Sequence, residues 1–128
     1  MEYRTRKLIK HEDLNPSGTL FGGRALEMCD EEMAIFVSCV LNNPKHVVTK
    51  FMSAINFKAP AHLGDIIEIG TNLIKFGTTS VTISCSLRNK TTLQEILTID
   101  ECVFVNLDEN GKPLAHGYGQ HSIQNEIF

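Results

Sequence analysis

The sequence predicts an α+β domain in which an antiparallel five-stranded sheet wraps around one long central helix. Three observations lead there. Residues 22–41 carry apolar side chains at helical spacing, and no other segment does so over such a length. Four later segments, 47–57, 66–74, 79–88 and 95–107, have strand length and alternation, with turn residues between them. At 128 residues, 42% of them hydrophobic, the chain suits one domain with one core, so a single amphipathic helix must cover the sheet.

Taken in order, residues 3–10 alternate imperfectly and carry Arg4, Arg6, Lys7 and Lys10, which suits an edge strand protected by cations. Residues 11–18 read as loop, with Asn15-Pro16 and Ser17-Gly18 as turn signals, and nothing helical is expected before Phe21. At about 100° per residue, the helix from Gly22 gathers Leu26, Cys29, Met33, Phe36, Val37, Val40 and Leu41 into one apolar sector. Arg24, Glu27, Glu31 and Ser38 fall opposite. Asp30 lies about 20° from Val37 and about 40° from Leu26, so it is expected to be the helix acid aimed at the interior. A buried carboxylate is costly unless paired or used, although an Asp bonded to a neighbouring backbone or side chain would explain the position equally well.

Asn42-Asn43-Pro44 stops the helix. The segment 47–57 is largely apolar on both faces, which predicts a central strand. Residues 66–74 and 79–88 form a hairpin through Phe76-Gly77-Thr78, and the regular alternation of 79–88 predicts one wet face. The last strand, 95–107, closes at Asp108-Glu109-Asn110-Gly111. From residue 112 no period remains, and a loose C-terminal tail is expected on a single domain spanning residues 1–128. One helix cannot cover both faces and edges of five strands, so self-association is expected as well.

Composition narrows the function classes. A net charge of −3 supplies no general field for nucleic acid or anionic membrane. The N-terminus has no apolar run of a signal peptide, and no stretch approaches a membrane span, so a cytoplasmic protein is expected. Cys29, Cys39, Cys85 and Cys102 are far apart, without metal-ligand spacing, and read as reduced core residues. His11, His46, His62, His116 and His121 read as surface or loop residues, and no metal site is expected.

The strongest chemical signal is the loop Asn15-Pro16-Ser17-Gly18-Thr19-Leu20-Phe21-Gly22-Gly23, which opens the helix carrying Asp30. Free N–H groups at a helix start can take up developing negative charge, and an acid in an apolar setting can serve as a base. Asn15-x-x-Gly18-x-x-Phe21-Gly22-Gly23, then Met28-Cys29-Asp30, Ser53-Ala54-Ile55-Asn56-Phe57-Lys58-Ala59-Pro60, Leu63-Gly64-Asp65 and Lys75-Phe76-Gly77-Thr78-Thr79-Ser80 follow in order. Together they resemble the hotdog-fold acyl-CoA thioesterases, close to the broad-specificity bacterial and brain acyl-CoA hydrolase types.

That resemblance implies hydrolysis of acyl-CoA to a free acid and CoA. It implies Asp30 as general base or nucleophile, Asn15 as the amide that positions water or carbonyl, and the Gly22 and Gly23 amides as oxyanion donors. It implies CoA contacts at Gly77, Thr78, Thr79 and Ser80, with Asn56 and Lys58 in a matched segment. No cofactor is implied, since CoA is part of substrate and product. The family's site lies between protomers, which implies a homodimer or a trimer of dimers, with Asn15 of one chain serving Asp30 of the other. Arg24 departs from the bulky aromatic frequent in relatives and leaves the acyl preference open. Two other classes remain on this fold. A hydratase or dehydratase would pair a His with the helix acid, and a non-catalytic acyl-CoA sensor would keep the pocket without the acid.

Overall fold

In a computed structural model, which describes residues 1–119, the elements run β1 (Glu2–Leu8), a 3-10 turn (His11–Asp13), α1 (Gly22–Leu41), β2 (Val47–Phe57), β3 (Ile66–Phe76), β4 (Ser80–Asn89) and β5 (Glu95–Asn106). The strands form one antiparallel sheet in the order β1-β3-β4-β5-β2. The α+β class and the element order agree with the sequence reading. Its one omission in this count is the short helical turn at His11–Asp13, which lies in the segment expected to be all loop.

Helix α1 begins where the glycine pair ends an extended loop. It ends where Asn42 turns left-handed at φ 52°, with the Asn42 and Asn43 N–H groups donating to the Cys39 and Ser38 carbonyls. Its buried side is Ala25, Met28, Cys29, Glu32, Met33 and Val37. These pack on Ile67 and Ile69 of β3, Val81, Ile83 and Leu87 of β4, and Leu97, Ile99 and Phe104 of β5. Burying each such aliphatic side chain contributes about 2 kcal/mol, and this shared core ties helix to sheet.

Four expectations are corrected. β2 is an edge strand, hydrogen-bonded only to β5, and its apolar Val48, Phe51 and Phe57 remain 45%, 52% and 59% exposed. An apolar edge resembles a central strand in sequence because the composition is the same until strand order is known. Its two-residue alternation also breaks, with a register shift between Thr49 and Phe51 and a positive φ at Ala54.

Second, β4 does not keep one wet face. Thr82 and Ser86 are buried, and Ser86 Oγ donates to Glu95 on β5. Third, residues 112–119 are tacked down: Leu114 N–H donates to the Asn106 carbonyl, His116 N–H to the Thr78 carbonyl, and Tyr118 stacks on Phe76 at 5.3 Å. The rest of the expected loose tail, His121 included, lies outside the described residues. Fourth, Cys39 is exposed, whereas Cys29, Cys85 and Cys102 are buried, all four as free thiols. None of the described helices is long and apolar enough to cross a membrane.

Candidate active site

The loop from Asn15 to Gly23 owes its shape to two polar devices. Asn15 Oδ1 accepts hydrogen bonds from the Ser17 and Thr19 N–H groups at 3.0 and 3.1 Å, and its Nδ2 donates to Thr19 Oγ1 at 2.9 Å. The side chain thus braces its own turn, and one amide hydrogen is left to donate elsewhere. The second device is Asp13, 1% exposed, which the sequence reading did not single out. Its carboxylate accepts from Lys10 N–H and from Arg24 Nε, each at 2.9 Å, while its backbone carbonyl accepts from Phe21 N–H. Loop and helix start are therefore clamped together. Burial alone would raise the Asp13 carboxyl, but the Lys10 N–H and the Arg24 guanidinium outweigh it and hold it below the usual carboxylate range. Arg24 accordingly serves as a structural partner of Asp13, a role that no local periodicity could announce.

At the helix start, Phe21 is the N-cap and no side chain caps it. The first helical bond runs from Ala25 N–H to the Phe21 carbonyl. The N–H groups of Gly22, Gly23 and Arg24 precede it and lack helical acceptors. Side chains here would be crowded: a Cβ on Gly22 would sit 3.3 Å from the Phe57 ring, and one on Gly23 3.1 Å from the Phe21 ring. The glycine pair lets two aromatic rings close over a bare helix end.

Asp30 is half-buried on the flank of α1 that faces β2, and its Oδ1 accepts a hydrogen bond from Thr49 Oγ1 at 2.7 Å. It is not the deepest acid of the helix. Glu32 is 8% exposed, against the expectation that Asp30 alone would point inward. Seven residues after Ala25, Glu32 returns to within about 20° of it on the helix. β1 and the C-terminal tail cover that flank: Arg4, Phe36, Val40 and Tyr118 line a cavity of about 290 Å³ with Glu32. The wheel missed this arc because the residues that cover it lie far away in sequence.

Buried thiols surround the acids. Burial, together with the nearby Asp30 and Cys85, pushes Cys102 up to about 12. Hydrogen bonding to Cys29, then burial and the charge of Glu32, push Cys85 up as well. Neither is a thiolate at neutral pH, and Cys29 is fully buried, so these three thiols are packing residues.

The remaining candidates lie apart. The turn at residues 77–80 joins β3 to β4, whereas Asn56 and Lys58 belong to the far end of the sheet, where Asn56 lies opposite Thr98 and Lys58 Nζ pairs with Glu95 at 3.1 Å. Ser80 pairs with Val105 and Ser86 with Thr98, so about six strand residues, about 20 Å, separate these groups within one chain. Asp30 is likewise distant from the free helix amides. Eight residues of helix separate it from Gly22, about 12 Å along the axis. A general base and an oxyanion donor each act within about 3 Å of their targets, a spacing shorter than the one between Asp30 and these amides in one chain.

Among the described residues there is no cluster of three or more potential metal ligands. The residues brought together are thus Asp30 with Thr49, and Asn15 with Gly22 and Gly23 through the Asp13 clamp.

A family model described as the thioesterase superfamily matches residues 17–96, from the loop before α1 to the start of β5. A relative from Buchnera aphidicola subsp. Schizaphis graminum, named as an uncharacterized acyl-CoA thioester hydrolase, is 30% identical and covers 84% of this chain and 83% of its own. The hexameric thioesterase y2039 of Yersinia pestis superposes with a TM-score of 0.81 at 27% identity, over 89% of this chain and 93% of that one. The hexameric hotdog-fold thioesterase Cj0915 of Campylobacter jejuni gives a TM-score of 0.79 at 23% identity, over 100% and 98% of the two chains, and identifies the fold as a hotdog.

Proposed function

Because this chain belongs to the thioesterase superfamily, we propose that it hydrolyses acyl-CoA to a free carboxylic acid and CoA at a site shared between two copies. The observation that carries this reading is the Asp30 carboxylate, held by Thr49 beside an open apolar sheet edge and separated from the uncapped start of its own helix. Relatives named as acyl-CoA thioester hydrolases support the substrate class.

In this reading Asp30 takes a proton from water as the water oxygen attacks the thioester carbonyl carbon. The Gly22 and Gly23 N–H groups of the other copy donate to the developing oxyanion, aided by the positive end of the helix dipole. One such donor lowers the barrier by about 3 kcal/mol. The free amide hydrogen of Asn15 orients the water or the carbonyl. The C–S bond then breaks and CoA leaves as a thiolate, a leaving group good enough that the step calls on no metal. Direct attack by Asp30 would instead form a mixed anhydride that water later opens. A single turnover in oxygen-18 water separates the two routes where water opens the anhydride at the Asp30 carboxyl carbon, because an Asp30 oxygen-16 then leaves in the first acid released and oxygen-18 stays on Asp30.

The turn at residues 77–80 fits the CoA half of the substrate, with Asn56 and Lys58 as groove residues. The exposed Val48, Phe51 and Phe57 of β2 favour pairing of two copies along that edge, and hexameric relatives favour a trimer of such dimers. Four free thiols suit the reducing cytosol, where acyl-CoA turnover in fatty acid metabolism would supply substrate. Thiol release from acyl-CoAs of graded length, measured for wild type and Asp30→Asn in parallel, tests the reading. Cleavage by wild type and its near loss in the variant are expected. No cleavage of any acyl-CoA, or equal rates, would overturn it.

A further inference from the structure

The C-terminal segment, expected to be loose, grips the turn at residues 77–80 from behind. Thr78 O accepts from His116 N–H at 3.2 Å, Thr79 O accepts from Asn106 N–H at 2.8 Å, and Ser80 O accepts from Gly77 N–H at 2.9 Å. The His116 ring Nε2 lies 2.9 Å from the same Ser80 oxygen. A carbonyl only accepts, so Nε2 carries the hydrogen. Nδ1 is then the acceptor, and Tyr118 N–H donates to it at 3.0 Å. Both ring nitrogens are thereby committed, and the tautomer is fixed from two sides. The ring is further held against Phe76 and Tyr118 at centroid distances of 5.4 and 5.8 Å. Gly77 packs closely on Ser80, and a Cβ there would require the Ser80 hydroxyl to rotate away.

The carbonyls of three successive turn residues are therefore engaged by elements behind the turn. The N–H groups of Thr78 and Thr79 have no backbone acceptor among the described residues, and Thr78 is exposed. A turn with three of its four carbonyls occupied presents chiefly donors, and donors are what the amide carbonyls and phosphates of CoA need.

We propose that His116 is a positioning residue for CoA recognition: by donating to Ser80 O while accepting from Tyr118 N–H, it locks the turn with its Thr78 and Thr79 N–H groups turned outward. The inference rests on the reading that this turn contacts CoA. It assigns to the C-terminal segment a part in substrate binding and none in the bond-breaking step.

Two variants separate this role from simple packing. His116→Phe keeps a ring against Phe76 and Tyr118 but loses both hydrogen bonds. His116→Gln keeps an N–H donor at the reach of Nε2. In the full-length protein, His116→Phe is expected to raise KM for acyl-CoA about tenfold and to weaken inhibition by free CoA by the same factor, with kcat within about twofold of wild type. His116→Gln is expected to recover most of that loss. An unchanged KM and CoA inhibition constant in His116→Phe would overturn the proposal, as would a loss confined to kcat or one that His116→Gln fails to relieve. A wild-type protein that binds no free CoA by calorimetry would instead overturn the underlying assignment of the turn, which makes the two failures distinguishable.

Discussion

Asp30 and Glu32 sit two residues apart on one helix, and their surroundings differ in almost every respect. Glu32 is the more deeply buried and faces a cavity on the β1 side. Asp30 is half-buried, faces β2 and is held by the Thr49 hydroxyl. Burial alone would nominate Glu32 as the unusual acid. Access nominates Asp30: it stands at the open edge of the sheet, where a second copy can both complete its surroundings and deliver a substrate. In the proposed mechanism the base is the carboxylate that a second copy can reach and that a hydroxyl orients, and depth is a poor guide to either.

The largest expected effect breaks that comparison directly. Asp30→Asn should lower kcat for acyl-CoA hydrolysis by about a thousandfold, within the usual range for loss of a general base, whereas Glu32→Gln should leave kcat within about twofold. The reverse pattern, read in the same thiol-release assay, would transfer the role to Glu32. Next comes the sheet edge. Phe51→Asp puts a charge on the exposed apolar edge and should shift the protein to a smaller species on a sizing column, with activity falling at least about tenfold. Leu8→Lys, on the cation-bearing edge strand β1, serves as the control and should change neither.

Smaller effects sharpen the contrast. Thr49→Val removes the hydroxyl that orients Asp30 and should lower kcat about fivefold at unchanged melting temperature, as loss of one hydrogen bond at an accessible carboxylate would. The smallest change concerns a third carboxylate, Asp13, whose function is structural. Its folded-state pKa is depressed, so it contributes stability that is present above the ordinary carboxylate value and lost as pH falls through the folded value. Asp13→Asn should therefore show a shallower fall of melting temperature below about pH 4 than wild type. Identical acid profiles would rule out that contribution.

Much of this was legible in the sequence, and the reasons are local. The glycine pair and Asn42-Asn43-Pro44 bracket α1 at both ends, and the span of β2 follows from the alternation of residues 47–57. The hairpin of β3 and β4 is announced by Phe76-Gly77-Thr78. What could not be read there depends on partners distant in sequence. Strand order decides that β2 is an edge, and no periodicity records strand order. Glu32 is buried by β1 and the tail, Asp13 is claimed by Arg24 eleven residues on, and His116 reaches back to Ser80 across 36 positions. The candidate site follows the same division. Asn15, Gly22, Gly23 and Asp30 stand out as a motif, whereas Thr49, which orients Asp30, belongs to a strand whose register only the fold fixes.

The central claim is that Asp30 of one copy works with the loop and helix start of another, and subunit complementation tests it most directly. Asp30→Asn and Asn15→Ala chains, each weakly active alone, are unfolded together, refolded as a mixture and assayed for acyl-CoA hydrolysis. Random pairing gives half mixed dimers, each with one intact site of two, so recovery of about a quarter of wild-type activity is expected for a two-fold shared site. Activity no greater than the mean of the two variants refolded separately would contradict a shared site and require the base and the loop to act within one chain.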